Sequence, residues 1–219
     1  MRALIITLLS SFLMTPSFGA RLADVDIDVM ARDSRPAANA SLVKFGKLVT
    51  EKNAVKMGFT SPGDTKLSRL DTPLSGFMVR LDSLRAFQKG DDPIKLLKST
   101  GQIIYPVRVG NTVRSSVTLK RQGNKWRAVS YGSPILAKSL NGARATVVKR
   151  DKRQAAEFIQ VTIPAFNLSF VGNVVGGKLM LTPISDVSMY GLKATVTQPA
   201  EKIFLSLKPE AARHDGLPR

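Results

Sequence analysis

The chain has 219 residues, 43% of them hydrophobic and 22% charged, a composition that suits a folded globular domain and excludes a disordered or fibrous protein. Its formal charge of +17, from 33 basic against 16 acidic residues, directs it toward anionic partners: phospholipid headgroups, acidic polysaccharide or nucleic acid. It has no cysteine, which excludes disulfides, Cys-ligated zinc, a thiol nucleophile and a cysteine-linked lipid anchor.

Residues 1–19 have the three parts of an export signal: Arg2, the apolar run 3–14, and the helix breaker Pro16 followed by the small residues Ser17 and Gly19. Cleavage after Gly19 is expected. The apolar run is short for the roughly 20 residues that a spanning helix needs, and no later segment approaches it. The mature chain is therefore expected in a periplasm or outside the cell, without a transmembrane span. Export removes nucleic acid from the expected partners and favours envelope lipids, envelope polymers or an envelope protein.

Residues 20–30 alternate, with Val25, Ile27 and Val29 against Asp24, Asp26 and Asp28, which predicts a strand with a wet acidic face. The Asp-x-Asp-x-Asp spelling opens a calcium loop, but the required Gly and Glu are replaced by Val29 and Arg35. No metal or other cofactor is expected. Ser34 and Pro36 open a predicted helix to about Met57, with Leu42, Phe45, Leu48 and Val49 as its apolar stripe. Ser41 and Lys44 have the spacing of a serine-enzyme nucleophile pair, but the companion motifs are missing. Residues 60–75 read as a loop, 76–87 as a strand, and 91–101 as a short helix with Pro93 just inside and Gly101 at its end.

Residues 93–150 contain no Asp or Glu and hold twelve basic residues, most of the net charge. Within them, residues 102–131 form a predicted three-stranded meander turning at Gly110-Asn111 and near Gly123. Closing the second turn so that Leu119 faces Trp126 puts Val117 opposite Ala128 and builds a core face around Trp126. The opposite face then gathers Tyr105, Arg114, Arg127 and Tyr131 with Val107 and Val129. Aromatic and guanidinium groups together suit an anionic, partly apolar ligand. The same face also fits a covering helix, its arginines reaching the rim.

Ser133-Pro134 starts a predicted helix with Leu136, Leu140, Ala143 and Val147 inward and Lys138 and Arg144 outward. Strands follow at 158–163, 167–171, 178–182 and 189–196, then a helix over 199–207 stopped by Pro209. A disordered tail is predicted at 211–219, with the only histidine, His214. The expected fold is α+β: a curved, mainly antiparallel sheet packed against two or three helices, with an extra β-rich C-terminal part. It forms one domain over 20–210, with a candidate sub-boundary at 151–156. The order of helix, strands and a meander ending Trp126-Arg127-Ala128-Val129-Ser130-Tyr131 with a helix after it resembles the cone-shaped NTF2-like and cystatin-like domains. Over residues 76–150 it is also similar to exported phospholipid-shuttling proteins. The resemblance is one of fold and implies no catalytic residue.

Three functions remain open: a non-enzymatic exported binding protein for an anionic, partly apolar envelope component such as lipid; an accessory subunit pairing through its β-rich C-terminal third; and a hydrolase. The last needs a positioned acid–base pair, and Asp82, Asp91, Asp92, Glu157 and Asp186 show no spacing that supplies one.

Overall fold

The computed structural model describes residues 21–22 and 25–216. The expected export signal over 1–19 and the end of the tail lie outside them. The described elements run in chain order as β1 (Arg21–Leu22), β2 (Val25–Asp26), α1 (Ile27–Leu48), β3 (Ser68–Leu70), β4 (Leu74–Val79), α2 (Leu81–Ala86), β5 (Leu97–Val109), β6 (Thr112–Gln122), β7 (Lys125–Gly132), α3 (Pro134–Asp151), β8 (Ile159–Ile163), β9 (Leu168–Val175), β10 (Lys178–Pro183), β11 (Gln198–Pro199) and α4 (Ala200–Arg213).

The alternating stretch at 20–30 is not one continuous strand: only Arg21–Leu22 and Val25–Asp26 pair, antiparallel, and a helix begins at Ile27. Asp26 caps that helix, its Oδ1 accepting from the Asp28 and Val29 N–H groups at 3.0 Å each. From Ile27 the inward side chains follow three-four spacing through Met30, Ser34, Ala38, Ser41 and Phe45. α1 therefore begins seven residues before Ser34 and ends at Leu48 rather than near Met57. Asn53 closes its C-terminus by donating from Nδ2 to the Leu48 carbonyl at 2.9 Å.

The predicted strand at 76–87 ends at Val79, and α2, from Leu81, turns Leu84 and Phe87 into the core. The predicted helix at 91–101 is one 3₁₀ turn, Pro93–Leu96, followed by the long strand β5. The stretch 189–196 forms a 3₁₀ turn, Ser188–Tyr190, and no strand.

β3 to β11 form one open, mixed sheet in the order β11-β10-β9-β8-β4-β5-β6-β7, with β3 beside β5. All neighbours are antiparallel except β4 and β8. The fold is α+β, as the composition and patterning predict. The strands after residue 156 join this same sheet through the parallel β4–β8 contact.

Successive side chains of a strand point to opposite faces, and three core clusters sort accordingly. On one face α1 covers Ile103, Tyr105, Val107, Val117 and Leu119, and α4 with α2 covers Phe77, Val161, Phe170 and Leu181. On the other, α3 covers Leu74, Ile104 and Val171 with Leu140, Ala143 and Val147. Arg144, expected to point outward from α3, is 3% exposed.

α4 runs through Pro209, the expected stop, to Arg213, and residues 214–216 follow it. Arg85 holds it by donating from Nε to the Ala211 carbonyl at 2.8 Å and from Nη2 to the His214 carbonyl. His214 is buried, its Nε2 2.8 Å from the Ala165 carbonyl while Nδ1 accepts from the Gly216 N–H.

α1 is fastened to the sheet by hydroxyls. Tyr105 Oη donates to the Ala31 carbonyl at 2.9 Å and lies 2.8 Å from Ser34 Oγ, which donates to the Met30 carbonyl at 2.7 Å. Tyr105→Phe is expected to lower unfolding free energy by about 1–2 kcal/mol, because the buried hydroxyl's hydrogen bonds to Ala31 and Ser34 on α1 are lost. Burial raises the Tyr105 pKa above its ordinary 10.0. The stability this hydroxyl supplies is thus complete below pH 10.0 and is lost as pH rises through the raised value in the folded protein. Denaturation of both variants between pH 8 and 11 checks this: the gap between them should narrow at the alkaline end.

Candidate functional site

The meander contains two β-bulges, and they separate the four residues predicted to share a face. At the Gly110-Asn111 turn Val109 pairs with Thr112 as expected, but Arg114 is an extra residue, so Val107 pairs with Ser115 and Tyr105 with Val117. In the second hairpin the turn is Gly123-Asn124, with Gln122 opposite Lys125 and Leu119 opposite Ala128. Val129 is then the extra residue, and Tyr131 pairs with Val117. A one-residue bulge changes the face of every residue beyond it.

Tyr105 is consequently on the α1 side, 0% exposed, with the Arg35 guanidinium 5.7 Å from its ring centre. Tyr131 is half-buried on the same side, its ring 5.4 Å from that of Phe45. Arg127 is exposed opposite Lys120. Arg114 is half-buried at the bulge, and its positive field is one of several influences lowering the pKa of Asp64, the largest being a hydrogen bond from the Thr60 backbone. The predicted quartet is therefore two core tyrosines and two separated arginines.

What the structure does bring together is a cationic hairpin end. Lys120 and Arg127 are direct cross-strand partners, Arg121 is opposite Trp126, and Lys125 is beside the turn. All four cations are exposed, and none has an ion-pair partner among the described residues. Like charges directly opposite one another destabilise a hairpin.

At the other end of β7 lies an apolar cleft of about 520 Å³, lined by Pro134, Ile135, Leu136 and Ile184, with Lys56 at its rim. The turn carrying Lys56 is seated by Gly58 (φ +94°), where an added Cβ would come within 2.0 Å of the Arg114 carbonyl oxygen and 2.9 Å of Pro134 Cβ. Sequence reading missed this cleft. Its one legible sign was Ile135, a large aliphatic just inside an expected helix start, on the outward side of the stripe.

A second cleft, of about 400 Å³, opens at the C-terminal ends of the parallel pair β4 and β8, between Arg80, Leu81 and Pro164. Arg85 borders it but is already engaged with the C-terminal tail.

A further polar cluster is internal. Arg144 donates to the Thr72 carbonyl at 2.7 Å and to Asn141 Oδ1 at 3.2 Å. Burial lowers its pKa, which Asp71 opposes and Arg108 reinforces. Arg108 Nε is 3.6 Å from Asp71. These groups tie α3 to the β3–β4 connection.

Ser41 is buried on α1 while Lys44 is exposed, so the serine-enzyme spacing does not make a working pair. Among the described residues no three of His, Asp and Glu stand together as metal ligands, and no helix is long and apolar enough to cross a membrane. No protein-family model, curated protein or solved structure matches this chain.

Gly58 and Gly90 provide a controlled pair, because their φ angles are alike (+94° and +92°) and only Gly58 is crowded. Gly90→Ala is expected to cost about 1 kcal/mol of backbone strain. Gly58→Ala should cost about 3 kcal/mol, since overpacking is added to strain. Parallel urea titrations of the two variants check the difference.

Proposed function

We propose that this is an exported, non-catalytic binding protein for an anionic, partly apolar envelope component, with anionic lipid the leading form. The observation that carries this reading is the Lys120–Arg127 pair: two exposed like charges on directly opposing strand positions, flanked by Arg121 and Lys125, without a counter-ion among the described residues. A cross-strand arrangement that costs folding energy points to a role outside folding. An anionic surface supplies the missing counter-charge, at about 1 kcal/mol for each Lys or Arg held near it. The apolar half of the partner's description rests on the exposed aliphatic groups at the far end of the same strand. The leader-like N-terminal sequence supports a periplasmic or secreted location, where phospholipid headgroups and acidic polymers are available.

Arg127→Glu tests the reading with opposite signs for stability and function. It replaces a repulsive pair with an attractive one, so unfolding free energy should rise by roughly 0.2–1 kcal/mol. It also changes the local charge by two, so partitioning onto vesicles rich in phosphatidylglycerol should fall by about 2 kcal/mol, or roughly 30-fold. Sedimentation with anionic and zwitterionic vesicles, alongside thermal denaturation, measures both. Wild-type protein that ignores anionic vesicles, or an Arg127→Glu variant that binds them unchanged, would sink the proposal.

A further inference from the structure

We infer that the protein meets an anionic lipid leaflet edge-on along β7, with the cationic hairpin at one end and an aliphatic wedge, Val55 and Ile135, at the other. This inference rests on the anionic-lipid reading above and assigns the surface that performs it.

The wedge stands on its own observations. Ile135 is 82% exposed and Val55 80%, the two most exposed large hydrophobic residues among those described. Ile135 and Lys56 line the same apolar cleft, and Val55 is the residue before Lys56 in the chain, which brings its backbone to the edge of that cleft. Lys56 is the one charged residue among those lining the cleft, and Lys138, one turn along α3 from Ile135, is exposed. Aliphatic tips among lysines match the layering of a leaflet surface, with anionic headgroups outside and acyl chains about 5–10 Å further in. The apolar cleft beside them extends these side chains into a continuous apolar surface, the kind that serves as an interaction site.

The two ends share one strand. β7 is the outer strand of the sheet, eight residues from Lys125 to Gly132, and a strand of that length spans about 23 Å at 3.3 Å per residue. Val129, at the bulge between the ends, is also exposed. A leaflet lying along this edge receives cations, then an isolated valine, then the wedge. The unpaired backbone groups of the edge stay within the hydrated headgroup layer, where water satisfies them, and do not enter the hydrocarbon.

The absence of cysteine from the chain lets a single introduced thiol report on the wedge. Ser139, which lines the cleft, is replaced by Cys and carries an environment-sensitive fluorophore. The protein is mixed with vesicles of phosphatidylglycerol and phosphatidylcholine, some containing a quencher on the acyl chain. The expected result is a blue shift and quenching on binding. Val55→Asp with Ile135→Asp should reduce partitioning about tenfold, with an unchanged melting temperature. The loss should persist at high salt, because a buried apolar contact is not screened whereas the hairpin attraction is. A water-like emission from vesicle-bound protein, or full binding by the double aspartate variant, overturns the edge-on inference while leaving the hairpin reading intact. Absence of any vesicle binding by the wild-type chain overturns both. Binding of an acidic protein segment through the wedge, with no fluorescence response to vesicles, overturns the leaflet as the occupant.

Discussion

Two extra residues, Arg114 and Val129, decide what the central meander presents to each side of the sheet. Each belongs to one arm of a hairpin and shifts the pairing by one position. Between the shifts, β6 keeps Val117 and Leu119 under α1. Beyond them, Tyr105 and Tyr131 turn to the same side and join Phe45 and Phe59. With both rings inward, α1 has an aromatic floor and a hydroxyl partner for Ser34. Regular ladders would have placed two tyrosines opposite that floor. The bulges therefore create the α1 interface and strip the outer surface of its aromatic groups in a single step. What remains exposed at the hairpin end is mainly charge, from Lys120, Arg121, Lys125 and Arg127.

The second constraint is the parallel contact between β4 and β8, which joins the N-terminal and C-terminal halves of the sheet. Gly76 pairs with Gln160 and Phe77 with Val161, across more than eighty residues of chain. On one side of this seam α3 packs over Leu74 and Val171, and on the other α4 packs over Phe77 and Phe170. Both helices bridge strands from the two halves. Arg85, next to the seam on α2, donates to the Ala211 and His214 carbonyls and so ties the end of α4 to this seam.

Periodicity made most elements legible, because an apolar stripe is a local property. The α3 stripe of Leu140, Ala143 and Val147, the alternation at 159–163 and the turn glycines Gly110 and Gly123 are all of this kind. Errors arose where two local readings competed or where the deciding partner was distant. At 25–30 the period-two pattern of aspartates hid a three-four stripe whose inward members, Met30 and Ser34, are recognisable once Asp26 is read as a cap. Arg144 looked outward by charge, but its acceptor is the Thr72 carbonyl, which no nearby sequence announces. The candidate quartet failed for a sharper reason. Face assignment multiplies register by parity, so one unseen bulge in each hairpin was enough to reverse Tyr105 and Tyr131 while leaving the strands themselves correctly placed.

The cations survived that reversal, and the reason is chemical. A tyrosine on either face can be buried once its hydroxyl finds a partner, as Tyr105 does with Ala31. A lysine or arginine is buried only where several acceptors are built around it, as the Thr72 carbonyl and Asn141 are around Arg144, and the hairpin end offers no such set among the described residues. Lys120, Arg121, Lys125 and Arg127 are confined to the exposed hairpin end whichever register holds. Within that end the register still matters: it sets Lys120 directly against Arg127, where an alternative pairing would have set Thr118 there. Charge composition thus determines that a cationic surface exists, and the bulged ladder determines how concentrated it is. The concentration carries the functional argument, since four scattered lysines would be an ordinary solvated surface, whereas opposed cations at a strand end create a local potential that an anionic leaflet can neutralise.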